Sequence, residues 1–289
     1  TEQVARSLAR LADAKSRDIG YAGRKDRNAI TRQWFSVPGL SSEAALAHAG
    51  DGFTVLHAVP HGHKLRTGQL RGNRFELVVR ELDAGQIAAA PGRLERFATI
   101  GMPNFFGEQR FGRDGDNAAQ GLAFLEEGVR HRDKRAARFA LSALQSAVFN
   151  AWLEQRPAGL DEIETGEVAW IHESGACFVV TDSEAEAPRA ARFEISAAGP
   201  MPGPRLLAAQ GAPLARERAL FAAHGLPDPI ELPRGVRMRG VRRPARVRPE
   251  DVRCESVDSD ALRLCFTLPA GSYATVLVDA VFTDRAPGA

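Results

Sequence analysis

Apolar residues recur at helical spacing in several stretches of the chain, and this spacing predicts its helices. Val4, Leu8 and Leu11 predict an amphipathic helix over residues 2–15, and a longer helix is predicted over 132–154. We interpret the apolar stripe of the longer helix as core, and its members are Phe139, Leu144, Val148 and Trp152. Further helices are predicted over residues 41–49, 84–97 with an interruption near Pro91, 118–128, 184–192, 216–225 and a short stretch near the C-terminus.

Strands are predicted where apolar and polar residues alternate, or where branched and aromatic residues cluster. The clearest alternation places Phe75, Leu77 and Val79 on one face of a strand, which makes Phe75 a core residue by pattern alone. Residues 199–204 include three prolines and two glycines, so a non-helical loop is predicted there. Further strands are predicted over residues 18–22, 29–37, 53–59, within 234–253 and over 261–267, with a small hairpin over 169–181.

The composition predicts a soluble globular protein. The chain has 289 residues and a mass of 31.2 kDa, enough for one large domain or two of medium size, and we expect two. No apolar run approaches the length of about eighteen residues that a membrane helix needs, so no membrane partner is predicted. No signal peptide is recognisable, and the three cysteines form no Cys-x-x-Cys pair. We therefore expect a cytoplasmic protein without a disulfide framework or a cysteine zinc site.

Positive charge is concentrated in two blocks, although the net charge is only +2. Residues 1–75 carry 12 Lys and Arg against 6 Asp and Glu, and residues 234–253 carry 8 against 2. Each block is therefore +6, and the rest of the chain is −10. Two basic blocks in an otherwise acidic chain indicate a polyanion-binding surface assembled from distant segments, whereas ordinary solvated charge is the alternative.

Residues 20–35 surround one carboxylate, that of Asp26, with cations in a turn that contains two glycines. Lys25 and three arginines lie within six residues of it, and nearby cations favour the ionised form of a carboxylate. An aspartate held as an anion can act as a nucleophile or as an electrostatic partner. The alternative is that Asp26 caps the turn and pairs with surface arginines.

Two runs in this segment resemble the catalytic motif of the TruD family of transfer RNA pseudouridine synthases. They are Tyr-Ala-Gly-x-Lys-Asp at 21–26 and Ala-x-Thr-x-Gln-Trp at 29–34. A motif of this length and mixed chemistry is far more specific than a short glycine pattern. In the family the aspartate of the Lys-Asp pair is the catalytic residue, and it corresponds to Asp26.

A second pair of runs resembles the same family at its active site. These runs are Lys-Leu-Arg at 64–66 and Gly-Asn-x-Phe at 72–75, which align Asn73 and Phe75 with active-site positions of the family. By this resemblance the Asn73 amide orients a carboxylate or a base edge, and the Phe75 ring offers a stacking platform to an unstacked base. The Gly-Asn pair would equally suit a turn.

Three later runs also resemble family motifs. Residues 103–112 match Pro-Asn-Tyr-Phe-Gly-x-Gln-Arg-Phe-Gly, with Phe105 in place of the tyrosine, and we interpret them as architectural with Arg110 as a candidate RNA contact. Residues 199–203 resemble a Gly-Pro-Leu-x-Gly element. Residues 268–275 match a closing Leu-Pro-Ala-Gly-Ser-Tyr-Ala-Thr motif, which predicts a helix capped by Ser272 that could hold a phosphate, with capping alone as the alternative.

The resemblance spans residues 19–278 and implies an α+β fold. In the family a pseudouridine synthase catalytic domain, a twisted mixed sheet flanked by helices, is interrupted by an inserted domain. The catalytic domain would here comprise residues 1–100 and 248–289, and the inserted domain would comprise residues 101–247.

The activity that the resemblance implies is isomerisation of a uridine in transfer RNA to pseudouridine, at position thirteen and without a cofactor. The uridine leaves its stack, and Asp26 attacks it as the nucleophile while Lys25 or a nearby arginine keeps Asp26 ionised. Attack at the anomeric carbon of the ribose and attack at C6 of the uracil both remain open. We expect a monomer with transfer RNA as its partner and no obligate protein partner.

Residues 60–68 place basic side chains near a turn, and we expect a hairpin whose Lys64 and Arg66 contact RNA phosphates. An ordinary exposed hairpin is the alternative. His57, His61 and His63 have no acidic or cysteine partner at a ligand-like spacing, so no metal site is predicted.

Two other classes of protein fit parts of the pattern. A catalytically silent RNA-binding protein would share the basic blocks without needing Asp26. A nucleotide hydrolase with an aspartate nucleophile would show a phosphate-cradling glycine loop or a carboxylate cluster for Mg²⁺, and neither is apparent in the sequence.

Overall fold

The computed structural model describes residues 1–50, 52–112, 115–128, 134–233 and 235–283. The chain falls into two compact units, Thr1–Asn73 and Arg74–Ala289. Its helices are α1 (Glu2–Leu11), α2 (Ser42–Leu46), α3 (Ala84–Ile100), α4 (Asn117–Glu127), α5 (Lys134–Gln155), α6 (Ser183–Ala191), α7 (Gly211–Ala223) and α8 (Ala274–Phe282). Its strands are β1 (Gly20–Tyr21), β2 (Phe35–Ser36), β3 (Ala49–Gly50), β4 (Phe53–Thr54), β5 (Gly72–Val79), β6 (Met102–Pro103), β7 (Val168–Ile171), β8 (Cys177–Val179), β9 (Ile195–Met201), β10 (Val241–Pro244), β11 (Arg246–Val247), β12 (Glu250–Asp258) and β13 (Ala261–Pro269).

In the first unit, helix α1 and the pair of strands β1 and β2 share a small apolar core. The helix buries Ala5, Leu8 and Ala9. Of the three residues whose spacing predicted it, Leu8 is buried, whereas Val4 and Leu11 are half-buried. The two strands are antiparallel with Tyr21 opposite Phe35, and these rings meet edge to face with centroids 6.0 Å apart. The core therefore fixes both ends of the segment that contains Asp26.

The predicted strand over residues 29–37 is wrong for most of its length. Only Phe35 and Ser36 pair with another strand in the described part of the chain. Ile30 is fully exposed and Trp34 is 59% exposed, so the alternation there buries no face. Without a partner strand the period-two pattern has no burial to stabilise it.

In the second unit, strands β12, β13 and β5 form a three-stranded sheet in that order, and helices α3 and α8 pack against it. Strand β13 buries every second residue from Leu262 to Leu268 in this first core. On β5, the residues Phe75, Leu77 and Val79 are half-buried against the same core, which confirms the predicted alternation.

Helix α3 runs unbroken from Ala84 to Ile100, so the predicted interruption near Pro91 is wrong. Pro91 is exposed, whereas Leu94 and Phe97 are buried in the first core. Proline has no N–H, so one carbonyl of the preceding turn lacks its helical donor. Because Pro91 lies on the solvent side, water can bind that carbonyl, and burial of the apolar face maintains the helix.

Helix α5 is the centre of a second core in this unit, formed with strand β9 and helix α7. Strands β10, β9, β7 and β8 lie in that order in one antiparallel sheet, and the β7–β8 pair confirms the hairpin predicted over 169–181. The α5 stripe is core at Leu144, Val148 and Trp152, as predicted, but Phe139 is 46% exposed. The combination of helices with antiparallel sheets confirms the α+β class.

Strand β9 replaces the first half of the loop that was predicted over residues 199–204. All seven residues of Ile195–Met201 are buried. A Cβ atom on Gly199 would lie 2.3 Å from a ring carbon of Trp152, so only glycine lets helix α5 approach the strand this closely. The glycine and proline here serve packing against a helix rather than a turn.

Part of the second basic block is buried, contrary to the prediction of a phosphate-binding surface throughout it. Arg242 forms a buried bidentate ion pair with Glu217, with N–O distances of 2.5 and 2.9 Å. Arg246 is completely buried and donates hydrogen bonds to acceptors from separate segments. These acceptors are the carbonyl oxygens of Ile100, Ala190 and Ile195 and the Oγ atom of Ser196, at 2.5–3.2 Å.

His172 lies half-buried near these arginines. Its ring stacks on Phe193 with centroids 4.1 Å apart, and its Nε2 atom is 2.7 Å from Ser196 Oγ. Burial, together with the charges of Arg246 and Arg248, lowers the pKa of His172 to about 4. The imidazole is therefore neutral in the folded protein at neutral pH.

The neutral His172 predicts a specific pH dependence of stability. Between the unfolded pKa of 6.5 and the folded pKa of about 4, the unfolded chain binds more protons at this position, so stability is lost as the pH falls. We expect thermal unfolding to show a larger drop in Tm across this window for the parent than for His172→Asn, which keeps a polar group but does not titrate. Equal drops in both proteins would contradict a neutral His172.

Candidate functional site

The loop that carries Asp26 is closed at its base by side-chain hydrogen bonds. Gln33 Nε2 donates to the carbonyl oxygen of Gly23 at 2.6 Å, which joins the two ends of the loop. The Thr1 hydroxyl donates to Gln33 Oε1 at 3.0 Å and accepts from the backbone N–H of Lys25 at 2.9 Å. The loop is thus held at its base, and Asp26 lies in its exposed part.

Two of the cations close to Asp26 in sequence have other partners. Arg24 pairs with Glu2 at 2.5 Å, and the Lys25 ammonium donates to the side-chain carbonyl of Asn73. Among the described residues, the Asp26 carboxylate takes part in no ion pair within 4.0 Å and accepts no hydrogen bond, so a turn-capping role finds no support. Its oxygens are free to meet a ligand.

The contact of Lys25 with Asn73 brings two of the sequence motifs together inside the first unit. The two residues are 48 positions apart. Asn73 lies in strand β5 rather than in a turn, so the turn alternative for the Gly-Asn pair is wrong. The side-chain carbonyl of Asn73 accepts the hydrogen bond from Lys25, so the side-chain NH₂ group of Asn73 is the donor available to a ligand.

Residues 61–69 form a loop rather than the predicted hairpin, since residues 55–71 contain no strand. The loop is attached to the strand pair at the ends of the Asp26 loop. Gly68 N–H donates to the carbonyl oxygen of Ala22 at 2.8 Å, and Leu65 N–H donates to Ser36 Oγ at 2.9 Å. The basic loop and the Asp26 loop therefore share one support.

Lys64 and Arg66 are both exposed, but they differ in their partners. The Lys64 ammonium donates to the carbonyl oxygen of Arg17 at 2.5 Å. The Arg66 guanidinium contacts no acceptor among the described residues, while its backbone N–H is bound by Gln69 Oε1 at 2.7 Å. Arg66 is the more available of the two cations for an anion.

Phe75 belongs to the second unit and packs in its first core. Its ring stacks on Phe266 with centroids 5.4 Å apart and an interplanar angle of 29°. The residue is half-buried, so the structure supports a core role for one side of the ring and leaves part of the residue accessible.

A cluster around Arg243 connects two of the motifs in the second unit. The guanidinium donates from Nε to the Asn104 carbonyl at 3.1 Å, and from Nη2 to Asn104 Oδ1 at 2.5 Å and to the Gly271 carbonyl at 3.1 Å. It lies 3.9 Å from the ring centroid of Phe106, which Tyr273 meets edge-on. Burial lowers the pKa of Arg243 to about 10, so the group stays charged at neutral pH.

Two other motif residues have structural rather than ligand-directed contacts. Arg110, a candidate RNA contact, donates to Ser146 Oγ at 3.2 Å and to the Ser142 hydroxyl, and its guanidinium lies over the Phe139 ring. Two of its nitrogen atoms thus donate inside the protein rather than to a ligand. The predicted cap at Ser272 is wrong, because the N-cap residue of helix α8 is Tyr273.

Metal-ligating clusters of side chains and membrane-spanning helices are both absent from the described part of the chain. Within the described ranges, no group of three or more His, Cys, Asp and Glu side chains could hold a metal ion. No described helix is long and apolar enough to cross a bilayer.

Comparisons with known proteins identify relatives over nearly the whole chain. The family model of tRNA pseudouridine synthase D (TruD) matches residues 1–131 and 123–281. A tRNA pseudouridine synthase D from Geobacter metallireducens is 36% identical over 351 residues, covering 99% of this chain and 87% of that protein. One from Anaeromyxobacter dehalogenans is 42% identical over 286 residues, covering 96% and 81%.

The fold also resembles a solved structure. A crystal structure from Methanosarcina mazei, described as a candidate tRNA pseudouridine synthase D, has a TM-score of 0.73 to this chain at 19% identity. The match covers 97% of this chain and 84% of that one.

The Arg243 cluster predicts that lysine cannot replace arginine there. Arg243→Lys keeps the charge but loses the planar fork, so Asn104 and Gly271 oxygens lose their donors. We expect the free energy of unfolding in urea to fall by about 1.5–3 kcal/mol. Arg239→Lys, at an exposed position of the same basic block, serves as the control and should change it by less than about 0.5 kcal/mol. Equal effects of the two substitutions would show that Arg243 is not a brace.

Proposed function

The chain belongs to the tRNA pseudouridine synthase D family, and from this membership we propose that it isomerises the uridine at position thirteen of transfer RNA to pseudouridine, with Asp26 as the nucleophile. The reaction class is that of an isomerase. The observation that carries the assignment of Asp26 is an exposed carboxylate, without a partner among the described residues, in a loop that Gln33 and Thr1 close at its base.

We propose further that residues 101–247 are a domain inserted into a catalytic domain made of residues 1–100 and 248–289. The two cores of the second unit support this division. The first core draws on residues 75–102 and 247–282, whereas the second draws on residues 105–245. The middle segment forms most of its own hydrophobic core, while the two segments on either side of it share a different core. This pattern is typical of a domain inserted into another domain.

The proposed reaction breaks the bond between ribose C1′ and uracil N1 and forms one between C1′ and uracil C5. If the Asp26 carboxylate attacks C1′, uracil leaves with the bonding electrons, turns, and its C5 displaces the carboxylate. If it attacks C6, the bond between C1′ and N1 breaks, the base turns while it is esterified to Asp26 through C6, and C5 bonds to C1′. Elimination of the Asp26 carboxylate from C6, with loss of the C5 proton, then restores the C5–C6 double bond. By either route C5 loses a proton and N1 gains one, so the reaction needs no oxidant, reductant or cofactor.

The neighbouring residues take supporting roles in this proposal. Lys25, held by Asn73, supplies a positive charge next to the Asp26 carboxylate in the chain, and the NH₂ group of Asn73 orients the base or the carboxylate. Phe75 stacks on the unstacked base. Lys64 and Arg66 contact phosphates of the transfer RNA, with the unpaired Arg66 contributing more.

We expect Asp26→Asn to abolish pseudouridine formation while transfer RNA binding stays within a few-fold of the parent's. Asparagine has the size and most of the hydrogen-bonding capacity of aspartate, but it cannot supply an anionic nucleophile. Single-turnover conversion of an unmodified transcript and a binding titration separate the two effects.

Asp18→Asn is the matched control, since Asp18 is also an exposed carboxylate of the first unit and its loss changes the charge equally. Its conversion rate should match the parent's. An Asp26→Asn protein that converts the transcript at a rate near the parent's would show that Asp26 is not the nucleophile. The loop would then contribute to RNA binding only.

We expect Phe75→Leu to lower the single-turnover rate about 5- to 150-fold, which corresponds to 1–3 kcal/mol of base stacking. Leucine keeps most of the buried volume, so the loss of stability should stay below about 1.5 kcal/mol. Phe266→Leu is the control because it alters the other ring of the same stack. If both variants lose equal activity, the effect comes from the core and the stacking role is wrong.

A further inference from the structure

A cleft in the second unit is lined by exposed cations on two elements. Lys134 and Arg138 lie one turn apart on helix α5, and Arg237 faces them from the segment that precedes strand β10. The cleft has a volume of about 210 Å³, and its apolar lining includes Leu141 and Val236. It contains no acidic side chain among its lining residues.

The walls of this cleft are fixed in place. The segment 235–240 alternates, so that Val236 and Met238 are buried against Leu141 while the arginines between and after them face solvent. Gln145 of helix α5 donates from Nε2 to the carbonyl oxygen of Arg239 at 3.0 Å, which holds the segment along the helix. The cationic side chains therefore extend from a rigid base, which lowers the entropic cost of binding a ligand.

The three cations lack the acidic partners that several other arginines of this unit have. Arg192 pairs with Glu194 at 2.7 Å and Arg218 with Asp228 at 3.0 Å, and further pairs involve Arg80, Arg189, Arg216 and Arg263. In contrast, no described residue forms an ion pair or a hydrogen bond with the side chains of Lys134, Arg138 or Arg237. No described side chain therefore neutralises the positive charge of the cleft.

An arrangement of this kind costs stability unless an anion is bound. Like charges one turn apart on a helix, as at Lys134 and Arg138, destabilise it, and Arg237 adds a third positive charge. A bound anion with several negative groups in a row removes the repulsion and can contact all three side chains. A nucleic acid backbone has such a row of phosphates.

We propose that this cleft binds the phosphate backbone of the transfer RNA substrate, as a contact surface on the inserted region that is additional to Lys64 and Arg66. The inference rests on the proposed function for the identity of the partner. The apolar floor allows the ribose or an unstacked base to lie between the cations, and none of the described lining residues is an acid that would repel the strand.

Removal of two of the charges tests the proposal. Arg138→Gln combined with Arg237→Gln should weaken binding of an unmodified transfer RNA transcript at 150 mM salt by tenfold or more. It should also reduce the slope of log Kd against log salt concentration by about 1.5, since each lost phosphate contact contributes about 0.7–0.9. Lysine at both positions should restore most of the slope, because it keeps the charges.

The matched control removes two charges from equally exposed arginines outside the cleft, by Arg192→Gln combined with Arg218→Gln. It should leave the slope within about 0.3 of the parent's value, given the linear count of phosphate contacts. If the cleft variant and the control change the slope equally, only net charge matters and the proposal is overturned.

The same variants separate this inference from the proposed function. Conversion of saturating transcript by the cleft variant should stay near the parent's single-turnover rate, because the cleft holds the RNA and does not touch the reacting base. A parent that forms pseudouridine but whose salt slope is unaffected by the cleft variant overturns the cleft alone. A parent that binds with the predicted slope but forms no pseudouridine overturns the proposed activity and leaves the cleft.

Discussion

The second unit depends on arginines buried along residues 242–246. A guanidinium brings five donors and a charge into the interior, and it is tolerated only where every donor finds an acceptor or the charge finds a partner. Arg246 meets this condition with backbone carbonyls of helix α3, helix α6 and strand β9, and Arg242 meets it with Glu217 of helix α7. Removal of one of these side chains would leave several buried acceptors unpaired, which is costly. The hydrogen bonds of these arginines therefore stabilise the attachment of the strands at 241–247 to the two cores.

This constraint divides the second basic block between two uses. Arg237 and Arg239 face solvent, Arg242 and Arg246 are buried, and Arg243 lies between them against Phe106. The sequence shows a continuous run of positive charge, and net charge alone cannot separate these classes. The division follows from which face of each strand meets the core, and this is decided by segments as distant as residues 100 and 217.

The parts that the sequence predicted well are those whose signal is local. The half-buried Phe75 follows from period-two alternation. The assignment of Asp26 rests on a motif that is likewise continuous in the chain, and it stays a prediction. The partner of Lys25 could not be found locally because Asn73 is 48 residues away. The errors arise where contacts with distant segments override a local signal. Pro91 remains in its helix and Gly199 in its strand because the packing of neighbouring elements outweighs the local tendency to break regular structure.

The first unit holds Asp26 in a closed loop and without a competing partner among the described residues, which is a suitable preparation for a carboxylate nucleophile. Release of tritium from transfer RNA labelled at C5 of uridine tests that chemistry most directly, since only reaction at C5 frees the label. With the unaltered chain and excess EDTA, the account predicts tritium release that equals the pseudouridine formed. No release, or release that stops when EDTA is added, would contradict it.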